Sequence, residues 1–169
     1  MNLMIDLEIM GSGSNAAIVA IGAVKFDESK VYEEFYQRIT LKSSVNLGLD
    51  VDPETILWWM RQSDEARKEI VCAENNISEA LDSLCNWIND KDVVVWGNGS
   101  DFDNVIFTNA YKKANKSLPW KFWNNRCYRT VKNLFSDVPM QFVGTKHNAL
   151  TDAKNQALHL IEILKKMKQ

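Results

Sequence analysis

Three short stretches of this chain carry carboxylates at spacings that could hold a metal ion or move a proton. In Asp6-Leu7-Glu8 the acids are two residues apart, so in a strand their side chains share one face while Ile5, Leu7 and Ile9 share the other. Burying two like charges side by side is costly unless they are paired or bind a cation, and no Lys or Arg precedes Lys25. A divalent metal would resolve that cost. An edge strand with its polar face in water would avoid it, and the pair alone leaves both readings open.

The second stretch, Gly97-Asn98-Gly99-Ser100-Asp101-Phe102-Asp103-Asn104, follows the apolar run Val93 to Trp96. Ligand sites commonly form where a buried strand passes into a helix. Helix capping by Ser100 or Asp101 explains one of the two acids and leaves the other over. The third stretch places His147 five residues before Asp152. On one helix the two would stand about 140° apart around the axis and could hardly share a site. If Asn148 caps the helix instead, Asp152 lies on it while His147, in the preceding loop, can swing to the same point. A histidine, with an ordinary pKa of about 6.5, could then accept a proton from water; a satisfied or exposed structural histidine is the plainer alternative. His159, on the polar side of the final helix, is read as structural.

The elements that must position these residues are legible in outline. Residues 3–9, 16–27 and 31–40 are strand-like runs separated by Gly/Ser and Asp-Glu-Ser-Lys turn chemistry, which predicts an antiparallel meander. Helical patterning begins at Pro53, with Ile56, Trp59 and Met60 at helical spacing. It resumes from about Ser78 to Asn89, over 102–115, in a short piece over 130–136, and most clearly over 149–167, where Leu150, Ala153, Ala157, Leu160, Ile161 and Leu164 form one stripe. Val93 to Gly97 reads as a buried strand, and 121–123 and 126–128 as irregular or strand-like. The whole predicts an α/β fold, a mixed five-stranded sheet flanked by helices, within a single domain over 1–169.

At these positions the sequence resembles the DEDDh 3′-to-5′ exonucleases of the ribonuclease H-like superfamily, most closely the small bacterial and phage branch. Asp6 to Glu8 looks like the first motif, Trp96 to Asp103 like the second, and His147 to Ala153 like the third; Trp58-Trp59 and Arg126 to Thr130 also resemble that branch. The resemblance selects Asp103 over Asp101. It implies catalysis by Asp6, Glu8, Asp103, His147 and Asp152, with two Mg²⁺ or Mn²⁺ ions, one on Asp6, Glu8 and Asp152, the other on Asp6 and Asp103. His147 would be the general base, and nucleoside 5′-monophosphates would be released from a 3′ end. Where many relatives carry Thr after the first-motif Glu, this chain has Ile9 and Met10, so backbone amides there and the Met10 side chain are the candidates for the terminal nucleotide. Phe102 and Trp59 join them as aromatic candidates and Arg129 as a phosphate contact. Core packing is the competing role for Trp59, and still more for Trp58 and Trp87.

A formal charge of -2 argues against tight non-specific duplex binding and for single-stranded or 3′-overhang ends of DNA or RNA. The apolar opening MNLMIDLEIM is interrupted by acids, has no basic leader or cleavage site, and no run reaches the roughly 18 apolar residues of a membrane span; we expect a cytoplasmic protein without a membrane anchor. Cys72, Cys85 and Cys127 read as reduced thiols. Homodimerisation is common among similar enzymes. Two other functions fit the same residues: an endonuclease on this scaffold, and a catalytically silent nucleic-acid-binding module.

Overall fold

A computed structural model describes residues 1–168. Strands β1 (Asn2–Ile9), β2 (Ile18–Phe26) and β3 (Val31–Arg38) form the antiparallel meander, β4 (Val94–Gly97) runs parallel to β1, and the short β5 (Asn125–Cys127) runs parallel to β4. The order across the sheet is β3-β2-β1-β4-β5. Strand β1 is therefore central, which removes the reading of Asp6 and Glu8 as the wet face of an edge strand. Seven helices surround the sheet among the described residues: α1 (Leu41–Asn46), α2 (Pro53–Met60), α3 (Asp64–Val71), α4 (Ile77–Ile88), α5 (Asp103–Lys113), α6 (Tyr128–Leu134) and α7 (Ala149–Lys166).

Alternation along β1 assigns its two faces. Leu3, Ile5, Leu7 and Ile9 enter the larger core with Leu81, Leu84, Ile106 and Phe107 of α4 and α5. Met4 enters the smaller core with Ala153, Ala157, Leu160 and Ile161 of α7 and Tyr128 of α6. The small alanines of the α7 stripe let that helix lie close against β1 and β2. Asp6 and Glu8 share the face of Met4, and they lie at the end of β1 where α7 begins.

Several expectations are corrected. In α2 only Trp59 is buried, and Ile56 (38% exposed) and Met60 (64%) face outward. Trp58, read as a core residue, is 41% exposed. His159 is buried rather than on a polar side: its Nδ1 meets the Tyr128 hydroxyl at 2.6 Å and its Nε2 the Val138 carbonyl at 2.8 Å. Helices α1 and α3 had no sequence reading. No helix is long and apolar enough to cross a membrane.

Candidate active site

The five polar residues singled out in the sequence converge at the ends of β1 and β4. Asp6, Glu8 and Asp152 each offer an oxygen within 4.8 Å of the others. Asp103 approaches from the opposite helical layer and is 2% exposed. Its Oδ2 accepts the Asn98 amide at 2.8 Å, and the amides of Leu7 and of Asp103 itself also stabilise its charge. This corrects the capping expectation: Phe102 is the N-cap of α5, and neither Ser100 nor Asp101 caps the helix. Asp101 is exposed.

Two glycines allow the approach. Gly22 is the cross-strand partner of Asp6, and a Cβ there would lie 2.1 Å from the Ala149 carbonyl carbon. At Gly97 a Cβ would lie 2.3 Å from Asn104 Oδ1 and 3.2 Å from Asp103 Cβ. Each bare backbone lets the first turn of a helix settle on the sheet, which brings Asp152 and Asp103 to the β1 acids.

Asn148 caps α7, its Oδ1 accepting the Thr151 amide at 2.9 Å. His147 just before it has a φ of 61°, a left-handed conformation that is uncommon outside glycine. Its amide donates to Asp152 Oδ2 at 3.0 Å, and its ring stands edge-on to Trp58 with centroids 4.9 Å apart. Three side chains of α7 anchor the loop that carries it. Asp152 holds the His147 amide, Asn155 clamps both the amide and carbonyl of Val143 at 2.8 and 2.9 Å, and His159 holds Val138.

The acids repel one another. Burial first, then Asp103, Glu8 and Asp152, push Asp6 well above the usual carboxylate range, and a hydrogen bond from Gln156 Nε2 at 2.7 Å pulls it back. Burial and the charges of Asp152 and Asp103 push Glu8 up to about 8. Burial raises Asp103 to about 6 against its amide donors, and Arg129 also opposes the rise. Asp152 is raised by burial, and the His147 amide and ring oppose the rise. Among the described residues no Lys or Arg forms an ion pair with any of the four. Four crowded oxygen donors lacking a cationic partner suit a hard divalent cation.

On the Glu8 side an open cavity of about 330 Å³ is lined by Ile9, Gly11, Thr55, Trp58, Trp59 and Phe102, among others. Trp59 reaches it from the core, with its indole N–H donating to the Ile9 carbonyl at 2.9 Å. Met10 does not line it: the side chain is buried and the amide donates to Ala17 at 2.8 Å. Arg129 is exposed at the start of α6. Sequence reading missed Gly22, Gln156 and Asn155, and it named Gly97 and Trp58 without giving either a place at the site. Of the residues missed, only Gln156 had a usable signal, since it stands one helical turn beyond Asp152.

The chain is similar to several known exonucleases. The model of the family described as "3'-5' exoribonuclease Rv2179c-like domain" matches residues 1–164. An exodeoxyribonuclease of Enterobacteria phage T4 is 27% identical over 76% of this chain and 69% of its own length. Among solved structures, the nuclease domain of 3′hExo, a DEDDh family member bound to rAMP, superposes with a TM-score of 0.63 at 16% identity, covering 97% of this chain and 91% of that one. E. coli exonuclease I in complex with a dT13 oligonucleotide gives 0.64 at 14% identity, covering 99% and 40%.

Proposed function

This chain belongs to the Rv2179c-like 3′-5′ exoribonuclease domain family and is a 3′-to-5′ exonuclease, and from that premise we propose that it works as a DEDDh enzyme and removes nucleoside 5′-monophosphates from single-stranded or 3′-overhanging DNA or RNA ends. The observation that carries the reading is the meeting of three oxygen donors within 4.8 Å, with buried Asp103 alongside and no ion-paired Lys or Arg.

In this reading Asp6, Glu8 and Asp152 would hold one Mg²⁺ or Mn²⁺ ion and Asp6 with Asp103 a second. Bound there, the pair would supply Lewis-acid stabilisation of the oxygens that attack and leave the phosphorus. The protein's own groups do the remaining work. Gln156 fixes the Asp6 carboxylate and the His147 amide fixes that of Asp152, so the donor set is arranged before substrate arrives. The His147 ring, braced by the Trp58 edge, takes a proton from the attacking water. Ile9, Trp58, Trp59 and Phe102 shape a largely apolar cavity suited to the terminal base and sugar. Arg129, exposed at the start of α6, is the candidate phosphate contact, and Met10, buried in the same core as Ile9 and Trp59, would act only indirectly. The binding partner is thus a nucleic acid strand; a homodimer, common among similar enzymes, is an assembly to test.

The test is a time course on 5′-labelled single-stranded DNA and RNA with Mg²⁺, Mn²⁺ or EDTA, beside a circular single strand and His147→Ala. Metal-dependent ladders that shorten from the 3′ end, spare the circle and fade in the variant support the reading. Cleavage of the circle would favour an endonuclease, and silence in every lane a binding module.

A further inference from the structure

A second cavity, of about 180 Å³, opens on the Asp152 and His147 side of the carboxylates, whereas the aromatic cavity lies on the Glu8 side. Lys132 and Lys146 line it with Tyr128 and Phe142. Lys132 Nζ sits 5.8 Å from the Tyr128 ring centre and Lys146 Nζ 6.0 Å from that of Phe142. Neither ammonium is among the ion pairs of the described residues, although Lys25, Lys116, Lys121, Lys154, Lys165 and Lys166 all are. Aromatic faces orient the two cations without neutralising them. Gln156 and Asn98 also line this cavity, each with a buried side-chain oxygen that has no hydrogen-bond partner among the described residues.

We propose that this cavity binds the phosphodiester one nucleotide upstream of the bond being cut. The inference rests on the exonuclease reading, which puts the scissile phosphate on the acids. From there the strand has two directions to take. The larger, mostly apolar cavity suits a nucleoside, so the polyanionic remainder leaves across the smaller cavity, where two ammonium groups outside any ion pair meet the next phosphate. Two lysines here also explain how a chain of formal net charge -2 draws a polyanion toward four carboxylates: the attraction is local and faces the strand.

A dinucleoside monophosphate carries only the scissile phosphate, and a trinucleoside diphosphate adds the one this cavity takes. The experiment compares the two, in ribo and deoxy forms, by KM with Mn²⁺ and by Kd with Ca²⁺, for the wild type and for Lys132→Ala/Lys146→Ala. The wild type is expected to prefer the trinucleotide by roughly tenfold. In the double variant the preference falls to within about twofold, dinucleotide turnover holds, and the salt dependence of binding drops by about 0.7 in log-log slope. Lys132→Arg/Lys146→Arg keeps the preference. A methylphosphonate at the upstream position lowers wild-type affinity to the level of the double variant and leaves the variant unchanged. Equal losses on both substrates, or indifference of the wild type to the methylphosphonate, would overturn the proposal. Absence of cleavage by the wild type would overturn the exonuclease reading alone, because the Kd comparison does not require turnover.

Discussion

Gly22 and Ala149 are in backbone contact across the sheet-helix interface: a Cβ on Gly22 would lie 2.1 Å from the Ala149 carbonyl carbon and 2.2 Å from its oxygen. Those atoms are main chain at the first turn of α7, so they cannot rotate aside as a side chain would. Gly22→Ala is therefore expected to lift the turn that carries His147 and Asp152 away from Asp6. Overpacking of this kind costs about 1–3 kcal/mol, and a shift of about 1 Å at reacting groups can cost on the order of 100-fold in rate. Thermal unfolding and kcat/KM on one oligonucleotide measure both. A variant with wild-type kcat/KM would show that the contact positions nothing.

Asp103 and Asp101 stand two residues apart in opposite settings, the first 2% exposed and held by backbone amides, the second in solvent. Asp103→Asn is expected to abolish activity while leaving a folded protein, since the amide keeps the acceptor for Asn98. Asp101→Asn keeps most of it. Similar losses in the two variants would refute the assignment of the second acid.

How much of this was readable beforehand follows from the period of each signal. The meander, β4 and α7 show strand alternation or a long helical stripe, and the structure returns them within a residue or two. Helix α3 buries only Ala66 and α1 spans six residues, so neither offers an apolar stripe to recognise. Acids two apart on a strand announced themselves as a pair, but their central position depended on β4 inserting beside β1, a long-range pairing with no local trace. The same holds for Gly22, whose value lies in what approaches it from more than a hundred residues away, and for Trp58, which local periodicity cannot separate from its buried neighbour Trp59.

The raised carboxylates give the metal-free protein a definite pH response. Glu8 moves from its ordinary 4.5 up to about 8 on folding, so between those values the folded state keeps a proton that the unfolded chain has released. Stability therefore declines as pH rises through that window and is lowest above it. Asp103 adds a decline between 3.8 and about 6. In EDTA, Tm is expected to fall by several degrees from pH 5.5 to pH 8.5, and Glu8→Gln should flatten much of the fall. Mg²⁺ or Mn²⁺ should raise Tm more at pH 8.5, where the ligands ionise readily. An equal metal effect at both pH values would count against this carboxylate set as the binding site.

Trp58 sits with its ring edge-on to His147 at 4.9 Å and to Trp59 at 5.0 Å, while 41% exposed. A tryptophan so placed can brace the base and form a wall of the nucleoside cavity. Trp58→Ala should lower kcat and raise KM, and Trp58→Phe should recover part of kcat because an aromatic edge returns. Loss of stability with unchanged kinetics would assign Trp58 to packing alone.

The loop that carries His147 has little regular structure of its own, and its hold on α7 runs through Asp152, Asn155 and His159 at successive turns of one helical stripe. Asn155 is the test case, because it touches none of the acids and no wall of the nucleoside cavity. Its amide satisfies both polar groups of Val143 and also donates to the Thr151 carbonyl at 2.8 Å. Asn155→Ala leaves those groups unpaired, at about 1–3 kcal/mol for a buried site, and frees the loop without altering a ligand. We expect kcat to fall more than tenfold with KM within about twofold, because His147 is then in place only part of the time. Asn155→Asp keeps the acceptor for the Val143 amide but loses both donors, so its kcat should fall between those of the wild type and Asn155→Ala. If the two variants lose stability in that order while kcat stays at the wild-type value, the loop does not depend on this clamp to present the histidine.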